Sequence, residues 1–208
     1  YVYVVVCFLM RRRQPRSTQS RSSAASDVYK RQIYLTAINE AQHEELDRDP
    51  SVIVFGEDVR SNLWGGTRFA AEFSKQRVFD TPLSEVGFSG AAIGAAMTGM
   101  RPVVDMTIAS FLYVAMDQLV NQAAKSRYMF GGQATLPVTY RASMMYGMAI
   151  GAHHSDRPYP MFMNVPGLKI IAPSSPFDAK GLLKAAIRDD NPVLCFEDAQ
   201  VLSLIHIS

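Results

Sequence analysis

Short apolar runs alternate with amphipathic stretches along residues 33–200. Apolar runs bounded by Gly, Pro or Asp predict strands that are buried on both faces. Stretches with apolar residues at every third or fourth position predict helices between them. The six predicted strands span residues 52–55, 77–80, 102–106, 137–140, 169–172 and 193–196. Because strands and helices alternate, the pattern predicts an α/β fold with a doubly wound parallel sheet flanked by helices.

The predicted helices span residues 33–46, 86–100, 111–127 and 176–188, with a short helix at 69–73. The helix at 176–188 has a complete start signal. Ser175 is a suitable N-cap, Pro176 takes the first helical position, and Asp178 lies near the positive end of the helix dipole.

The helix at 86–100 carries small residues at three- and four-residue steps: Gly87, Gly90, Ala91, Gly94, Ala95 and Thr98. Each glycine in a helix interior costs about 1 kcal/mol relative to alanine. This pattern indicates that another element approaches the helix closely. Two interpretations remain open, namely packing within the chain and contact with a second subunit.

Charge is distributed unevenly along the chain. Residues 1–32 hold seven of the 21 Lys and Arg residues and one of the 19 acidic residues. The remainder has 14 basic and 18 acidic residues, a net charge of −4, which does not favour nucleic-acid binding. The apolar run at 1–10 would span only about 15 Å as a helix, so no membrane span is expected. Two cysteines, Cys7 and Cys195, favour a reducing compartment.

The two ends of the chain are related to each other. Residues 27–32, DVYKRQ, can be encoded by GAT GTG TAT AAG AGA CAG, and the reverse complement of that DNA encodes LSLIHI, residues 202–207. This relation indicates an inverted DNA end, of the kind that a transposase adds when DNA is fragmented, translated as protein. We therefore interpret residues 1–32 and 202–208 as non-native tails that do not pack on a domain at 33–200.

The sequence has no phosphate-binding loop, no GxGxxG after a strand, no zinc spacing and no serine nucleophile elbow. Instead, polar residues follow the predicted strands, where open α/β sheets bind ligands. They are Glu57, Asp58, Glu85, His153 and His154. Each also has an ordinary structural explanation. Glu85 could be an acid stabilised at a helix start, Glu57 an exposed acid at a strand end, and His154 a solvated loop residue.

Seven short segments resemble one family in the order in which they occur: GEDV at 56–59, DTPLSEVGFSG at 80–90, MDQ at 116–118, NQAAK at 121–125, YMFGG at 128–132, HS at 154–155 and DAKGL at 178–182. They are similar to the pyrimidine-binding domain of beta subunits from thiamine diphosphate-dependent 2-oxo acid dehydrogenases of the pyruvate, branched-chain and acetoin types. The resemblance covers about residues 33–200. It implies a transketolase-like, thiamine diphosphate-binding fold.

The resemblance also implies residue roles. Glu85 matches the catalytic glutamate that shares a proton with the aminopyrimidine, so that the exocyclic nitrogen can remove the proton of the thiazolium carbon. Phe111 matches the ring that stacks on the pyrimidine, which is compatible with core packing. Glu57 matches an acid near the cofactor. His154 matches a catalytic histidine that handles protons around the 2-oxo acid and the lipoyl acceptor.

Five further residues match positions that hold potassium in some family members: Val138, Ala186, Ile187, Asp189 and Asn191. The alternative is that Asn191 and water form hydrogen bonds with the free backbone groups at a helix C-terminus.

For the whole protein, the resemblance implies decarboxylation of a 2-oxo acid and transfer of the acyl group to a lipoyl carrier. The expected partners are an alpha subunit that holds the diphosphate and magnesium, a second beta subunit in an α2β2 tetramer, and a lipoyl-bearing acyltransferase core. Family beta subunits continue into a second domain, which we expect to be missing here. The expected location is the bacterial cytoplasm or the mitochondrial matrix.

Four alternatives remain open at this point. They are an acetoin dehydrogenase beta subunit, another thiamine enzyme such as transketolase or deoxyxylulose phosphate synthase, a catalytically silent fragment, and a nucleotide- or flavin-binding electron-transfer subunit. The sequence does not select the substrate.

Overall fold

The computed structural model describes residues 4–5, 34–63, 66–148 and 150–202. The strands in these residues are β1 Val4–Val5, β2 Val52–Gly56, β3 Val78–Asp80, β4 Arg101–Ile108, β5 Thr139–Met144, β6 Lys169–Ile171 and β7 Val193–Asp198. They form one sheet in the order β1-β6-β7-β5-β4-β2-β3, and every neighbouring pair is parallel. The predicted parallel α/β fold is confirmed.

Helices cover both faces of this sheet. They are α1 Tyr34–Arg48, α2 Glu85–Met97, α3 Ala124–Met129, α4 Tyr159–Phe162, α5 Pro176–Arg188 and α6 Ala199–Leu202. Side chains of β2 alternate between the two layers, because Val52 and Val54 pack with α1 and α5 while Ile53 and Phe55 pack with α2. Burial on both faces explains why this strand is a continuous apolar run.

The start of α5 follows the predicted signal. Ser175 Oγ accepts a hydrogen bond from the backbone N–H of Asp178 at 3.1 Å, and Pro176 is the first helical residue. Among the described helices, none is long and apolar enough to cross a membrane.

The small residues of α2 do not all face the chain's own core. Its buried face consists of Phe88, Ser89, Ala92, Ile93 and Ala96. By contrast, a Cβ added at Gly94 would meet nothing within 4 Å, and one at Gly90 would meet only Gln118, at 3.7 Å. Packing against the described part of the chain therefore does not explain why residue 94 is glycine.

Two predicted helices differ from the structure. Residues 111–127 are not one regular helix, because a 3₁₀ turn at Ala109–Tyr113 and a π-helical segment at Gln118–Ala123 precede α3. The predicted short helix at 69–73 is wrong, since these residues form turns closed by hydrogen bonds such as Ala70 N–H to Thr67 O at 2.9 Å. The aromatic residues of this segment contact His43 of α1, and the centroid of its ring lies 5.2 Å from that of Phe73.

Part of the predicted N-terminal tail lies against the domain. Val4 and Val5 pair with Ile170 and Ile171 of β6 at the edge of the sheet, which the boundary at residue 32 did not anticipate. A run of β-branched residues has high strand propensity, and the backbone of an edge strand is open to such pairing. At the other end, α6 includes Leu202, the first residue of the predicted C-terminal tail. The other residues of both tails lie outside the described ranges.

Replacing Gly167 with alanine is expected to destabilise the chain by about 3 kcal/mol. Gly167 has a φ of +95°, and its added Cβ would lie 1.9 Å from the carbonyl oxygen of Ala124. Gly181 in α5 provides the control, because a Cβ there meets nothing within 4 Å. Gly181→Ala should stabilise by about 0.5–1 kcal/mol through helix propensity. Urea unfolding measures both changes, and equal effects would contradict this account of residue 167.

Candidate active site

Four strands place polar or aromatic residues at one edge of the sheet. Glu57 directly follows β2, and Glu85 opens α2 shortly after β3. Phe111 lies in the 3₁₀ turn after β4, and His154 lies in a 3₁₀ turn at Ala152–His154 after β5. Because the strands are parallel, their carboxyl ends meet at the same edge, which is where open α/β sheets bind ligands. The predicted position of Glu85 at the start of α2 is what the structure shows.

Two carboxylates dominate the electrostatics of this edge. Burial raises the pKa of Glu57, and the nearby carboxylates of Glu85, Asp58 and Asp105 raise it further. One carboxylate oxygen of Glu57 is buried and has no hydrogen-bond partner among the described residues. Glu57 is therefore a half-buried acid near Glu85, with one oxygen that no described residue binds.

The rings of Phe111 and His154 contact each other on the other side of this edge. Their centroids lie 5.5 Å apart with the planes at 86°, an edge-to-face arrangement. Phe111 also packs on a small cluster that contains Ile108 and Met145. The Nδ1 atom of His154 is buried and has no partner among the described residues. The fold thus brings together two predicted residues that are 43 positions apart in the sequence.

Asp156 connects the loop of His154 to the turn of Phe111, and no sequence pattern indicated this role. Ser110 Oγ lies 3.4 Å from Asp156 Oδ2. Tyr113 contacts the same residue, since burial and then the charge and hydrogen bond of Asp156 raise the pKa of the Tyr113 hydroxyl. Asp156 therefore holds the loop next to the 3₁₀ turn.

Further polar atoms at this edge have no partner in the described part of the chain. Thr81 Oγ1 follows β3, and Gln118 Oε1 belongs to a side chain that reaches Gly90 in α2. Buried polar groups are nearly always hydrogen-bonded in complete assemblies. With the partnerless atoms of Glu57 and His154, they leave this edge suited to a ligand that presents several hydrogen-bonding groups next to an aromatic face. An aminopyrimidine has this chemistry, so the residues present fit the pyrimidine end of thiamine diphosphate.

The predicted potassium set lies at the opposite, amino-terminal edge of the sheet. Arg101 Nη1 donates to the carbonyl oxygens of Ile187 and Asp189, both at 3.2 Å. Lys169 Nζ lies 2.5 Å from Asp189 Oδ2. Two protein cations therefore already bind oxygens of this set, and the arrangement does not favour a further cation.

The carbonyl oxygens of Val138 and Ala186, and the Asn191 side chain, also form hydrogen bonds within the chain. The carbonyl of Val138 accepts from the backbone N–H of Val193 at 2.9 Å, and the carbonyl of Ala186 accepts from Asp189 N–H at 3.1 Å. Asn191 donates from its backbone N–H and its side chain to Asp189 Oδ1, at 2.9 and 3.0 Å. A helix end stabilised by Asn191 explains these residues, and no step below depends on potassium. Within the described ranges, no group of three or more His, Cys, Asp or Glu side chains could hold a metal ion.

A cavity of about 850 Å³ lies near this second edge and contains none of the four residues of the candidate active site. Tyr128, Gly131, Pro166 and Asn191 contribute to its lining. This cavity and the candidate active site therefore lie at different edges of the sheet.

A buried ion pair beneath the candidate site was not predicted. Arg141 of β5 binds Glu197 of β7 through two hydrogen bonds of 2.7 and 3.0 Å, and both side chains are 3% exposed. The same guanidinium binds Asp105 Oδ2 of β4 at 3.3 Å and Gln42 Oε1 of α1 at 3.0 Å. The available sequence signal was the presence of Asp105, Arg141 and Glu197 in or next to apolar runs, since such charges are rarely buried unless they are paired.

Comparisons with known proteins identify the family to which this fold belongs. The family described as transketolase, pyrimidine binding domain, matches residues 31–203. The chain is 46% identical over 180 residues to the beta subunit of acetoin:2,6-dichlorophenolindophenol oxidoreductase from Cupriavidus necator, covering 81% of this chain and 53% of the relative. It is 45% identical over 175 residues to the 2-oxoisovalerate dehydrogenase subunit beta of Bacillus subtilis, covering 83% and 54%. A chloroplastic pyruvate dehydrogenase E1 component subunit beta-3 from Arabidopsis thaliana is 42% identical over 188 residues, covering 88% and 46%.

The chain spans about half the length of these relatives. Their names confirm the predicted resemblance to beta subunits of this class. Among solved structures, a split-gene transketolase described as an inactive beta4 tetramer has a TM-score of 0.63 at 22% identity, covering 78% of this chain and 49% of that one. Transketolase from Leishmania mexicana has a TM-score of 0.65 at 19% identity, covering 78% and 24%. These two similarities show the fold alone.

Replacing Glu57 with glutamine is expected to stabilise the chain at neutral pH, because it removes a charge that burial and neighbouring carboxylates disfavour. When folding raises the pKa of a carboxyl group, that group contributes its full stabilisation of the folded state only below its pKa in the unfolded chain. The contribution is lost as the pH rises through its pKa in the folded chain. The melting temperature of Glu57→Gln should exceed that of the original chain by about 1–3 °C at pH 7, and the difference should vanish near pH 4.

The control for this measurement is Glu72→Gln. Glu72 is 64% exposed and lies 2.9 Å from His43 Nε2, so removing its charge should not stabilise the chain. An unchanged or lowered melting temperature for Glu57→Gln at pH 7 would contradict the electrostatic account of this edge.

Proposed function

Because the chain belongs to the family of transketolase pyrimidine-binding domains, we propose that it forms the pyrimidine-facing half of a beta subunit in a thiamine diphosphate-dependent 2-oxo acid dehydrogenase. The intact enzyme decarboxylates a 2-oxo acid and transfers the acyl group to a lipoyl carrier. The observation that carries this proposal is the convergence of Glu57, Glu85, Phe111 and His154 on one edge of the sheet.

Glu85 is the residue that activates the cofactor. When bound, thiamine diphosphate supplies a carbon nucleophile that adds to the carbonyl of the 2-oxo acid and takes up the electrons released by decarboxylation. The carboxylate of Glu85, in the first turn of α2, would hold a proton for the pyrimidine ring of the bound cofactor. Glu57 lies close enough to Glu85 for their carboxylates to repel each other. A proton shared between them, or a ring that donates hydrogen bonds to both, therefore stabilises the pair.

Phe111 and His154 complete the reaction space. Their edge-to-face contact fixes the plane of the Phe111 ring, which offers a flat apolar surface to the pyrimidine. His154 brings a buried Nδ1 atom that no described residue satisfies. An imidazole nitrogen can donate or accept a hydrogen bond, so His154 is suited to hold or move a proton at the substrate carbonyl and at the lipoyl sulfur.

Partner subunits supply the rest of the site. Thiamine diphosphate has two ends, and the predicted residues of this chain address only the pyrimidine. We assign the diphosphate and magnesium to an alpha subunit, within an α2β2 tetramer that delivers acyl groups to a lipoyl-bearing acyltransferase core. The exposed glycine face of α2 supports a subunit contact, because nothing in the described chain fills the space at Gly94.

Acetoin is the second candidate substrate, and the two acetoin oxidoreductase beta subunits, at 46% and 44% identity, favour it. Of the predicted locations, we propose the bacterial cytoplasm, since these relatives come from Cupriavidus necator and Bacillus subtilis. The mitochondrial matrix stays a prediction.

Replacing Glu85 with glutamine in the intact beta subunit, reconstituted with its alpha subunit, is expected to lower kcat by roughly 10²- to 10⁴-fold. An amide cannot share the activating proton. The assay is reduction of an artificial acceptor with pyruvate, branched-chain 2-oxo acids and acetoin as separate substrates, together with a thiamine diphosphate titration. Glu72→Gln, which changes an exposed acid outside the site, should keep the original rate. A full rate with normal cofactor affinity for Glu85→Gln would show the mechanism to be wrong.

Replacing His154 with alanine in the same reconstituted enzyme is expected to slow acyl transfer to a lipoyl acceptor by roughly 10²-fold, while the Kd for thiamine diphosphate changes little. The matched control is His153→Ala, because His153 is the exposed neighbour of His154 in the same turn. The comparison uses a lipoylated carrier and an artificial acceptor in parallel. Equal losses for the two histidine variants would remove His154 from the mechanism.

A further inference from the structure

Thr107 has an unusual backbone conformation at the end of β4. Its φ is +61°, in the left-handed region that β-branched residues rarely adopt. Among the described non-glycine residues, only Asp58 and Asn62 also have positive φ, and their short polar side chains tolerate it. The conformation of Thr107 therefore requires support from its surroundings.

The strained residue lies in a β-bulge that leads directly to Phe111. Asp105 pairs with Arg141, whereas the next pair is Ile108 with Ser143, so β4 has one residue more than β5 over this interval. Such bulges redirect the strand and the side chains that follow it. The 3₁₀ turn that carries Phe111 begins one residue after Ile108.

Asp105 supports the bulge through its carboxylate. Its Oδ1 accepts the backbone N–H of Thr107 at 2.9 Å, and its Oδ2 accepts Nη1 of Arg141 at 3.3 Å. Arg141 is in turn fixed by its two hydrogen bonds to Glu197. The Asp105 carboxylate is thus held from both sides, by the bulge and by a buried cation.

The backbone of Asp105 supports the second arm of the site as well. Gly56, the residue before Glu57, pairs with Asp105 across the sheet. A Cβ at Gly56 would lie only 2.2 Å from the carbonyl oxygen of Asp105, so the two backbones are in close contact. One residue therefore touches the strand end of Glu57 and the bulge before Phe111.

We infer that Asp105 is a positioning residue of the candidate site, which sets the place of Phe111 by holding Thr107 at positive φ. The inference rests on the proposed function, because it assigns Phe111 to the pyrimidine. The positioning role of Asp105 is distinct from a role in which the Asp105–Arg141 ion pair only stabilises the fold. If the ion pair only stabilised the fold, its loss would lower the stability of the chain without a specific effect on cofactor binding.

A double-mutant cycle separates these roles in the intact beta subunit, reconstituted with its alpha subunit. Glycine adopts positive φ without support, so Thr107→Gly keeps the bulge when the carboxylate is removed. Asp105→Ala should weaken thiamine diphosphate binding by roughly 10- to 100-fold with Thr107 present, and by less than about 3-fold when Thr107→Gly is also present. Calorimetric titration with thiamine diphosphate and magnesium measures the Kd, and urea unfolding measures the stability of each variant.

Asp105→Asn isolates the hydrogen bond from the charge. Its single side-chain oxygen can accept the Thr107 N–H only while its NH2 group faces Nη1 of Arg141, so the Kd should weaken less than with Asp105→Ala and return to within about 3-fold of the original when Thr107→Gly is also present. This second comparison carries the test if Asp105→Ala does not fold. A loss of affinity for Asp105→Asn that Thr107→Gly does not reduce would overturn the inference. So would an equal loss of affinity for Asp105→Ala in the two backgrounds, or a loss of stability alone. Absence of thiamine diphosphate-dependent activity in the unsubstituted enzyme would instead reject the proposed function.

Discussion

Parallel pairing of the strands is the constraint on which the candidate site depends. Parallel neighbours end at the same edge, so residues that follow β2, β3, β4 and β5 must lie near one another although about 100 positions separate Glu57 from His154. The functional residues therefore do not have to be close to one another in the sequence. This explains why the chain carries no compact motif of the phosphate-loop or zinc-ligand type, and why its functional signal is spread over several short segments.

Parallel sheets buried on both faces leave little room for charge, yet three charged residues lie inside this one. Arg141, Glu197 and Asp105 belong to adjacent strands and face α1, where Gln42 provides a further acceptor for the guanidinium. Replacing such a group by apolar residues is often neutral for stability, whereas removing one partner leaves a buried charge and is costly. Their position directly under a bulged strand end gives the network a role that stability alone does not require.

Periodicity predicted the strands to within about two residues at most ends, because burial on both faces leaves apolar runs that Gly, Pro and Asp interrupt. It also predicted α5, whose start depends on the local chemistry of Ser175 and Pro176. Tertiary contacts determined what periodicity missed. The bulge at Thr107 depends on a carboxylate held from another strand, the turns at 69–73 on contacts with α1, and the loop of His154 on Asp156. The pairing of Val4–Val5 depends on an open sheet edge that no local pattern reveals.

The edge that suits the cofactor is also the least satisfied part of the chain. Glu57 is half-buried near three other carboxylates, the Nδ1 atom of His154 has no partner within the described residues, and Thr107 is held in a strained conformation. Each feature raises the free energy of the unliganded domain, and the first two are relieved by a ligand that supplies hydrogen bonds. The fold therefore keeps these groups in place before the ligand binds, and the ligand relieves part of their local instability. Such preorganisation is expected of a functional site. A further anion at this edge would add to the repulsion that already raises the pKa of Glu57, so the acidic pair favours an occupant that is protonated or donates hydrogen bonds.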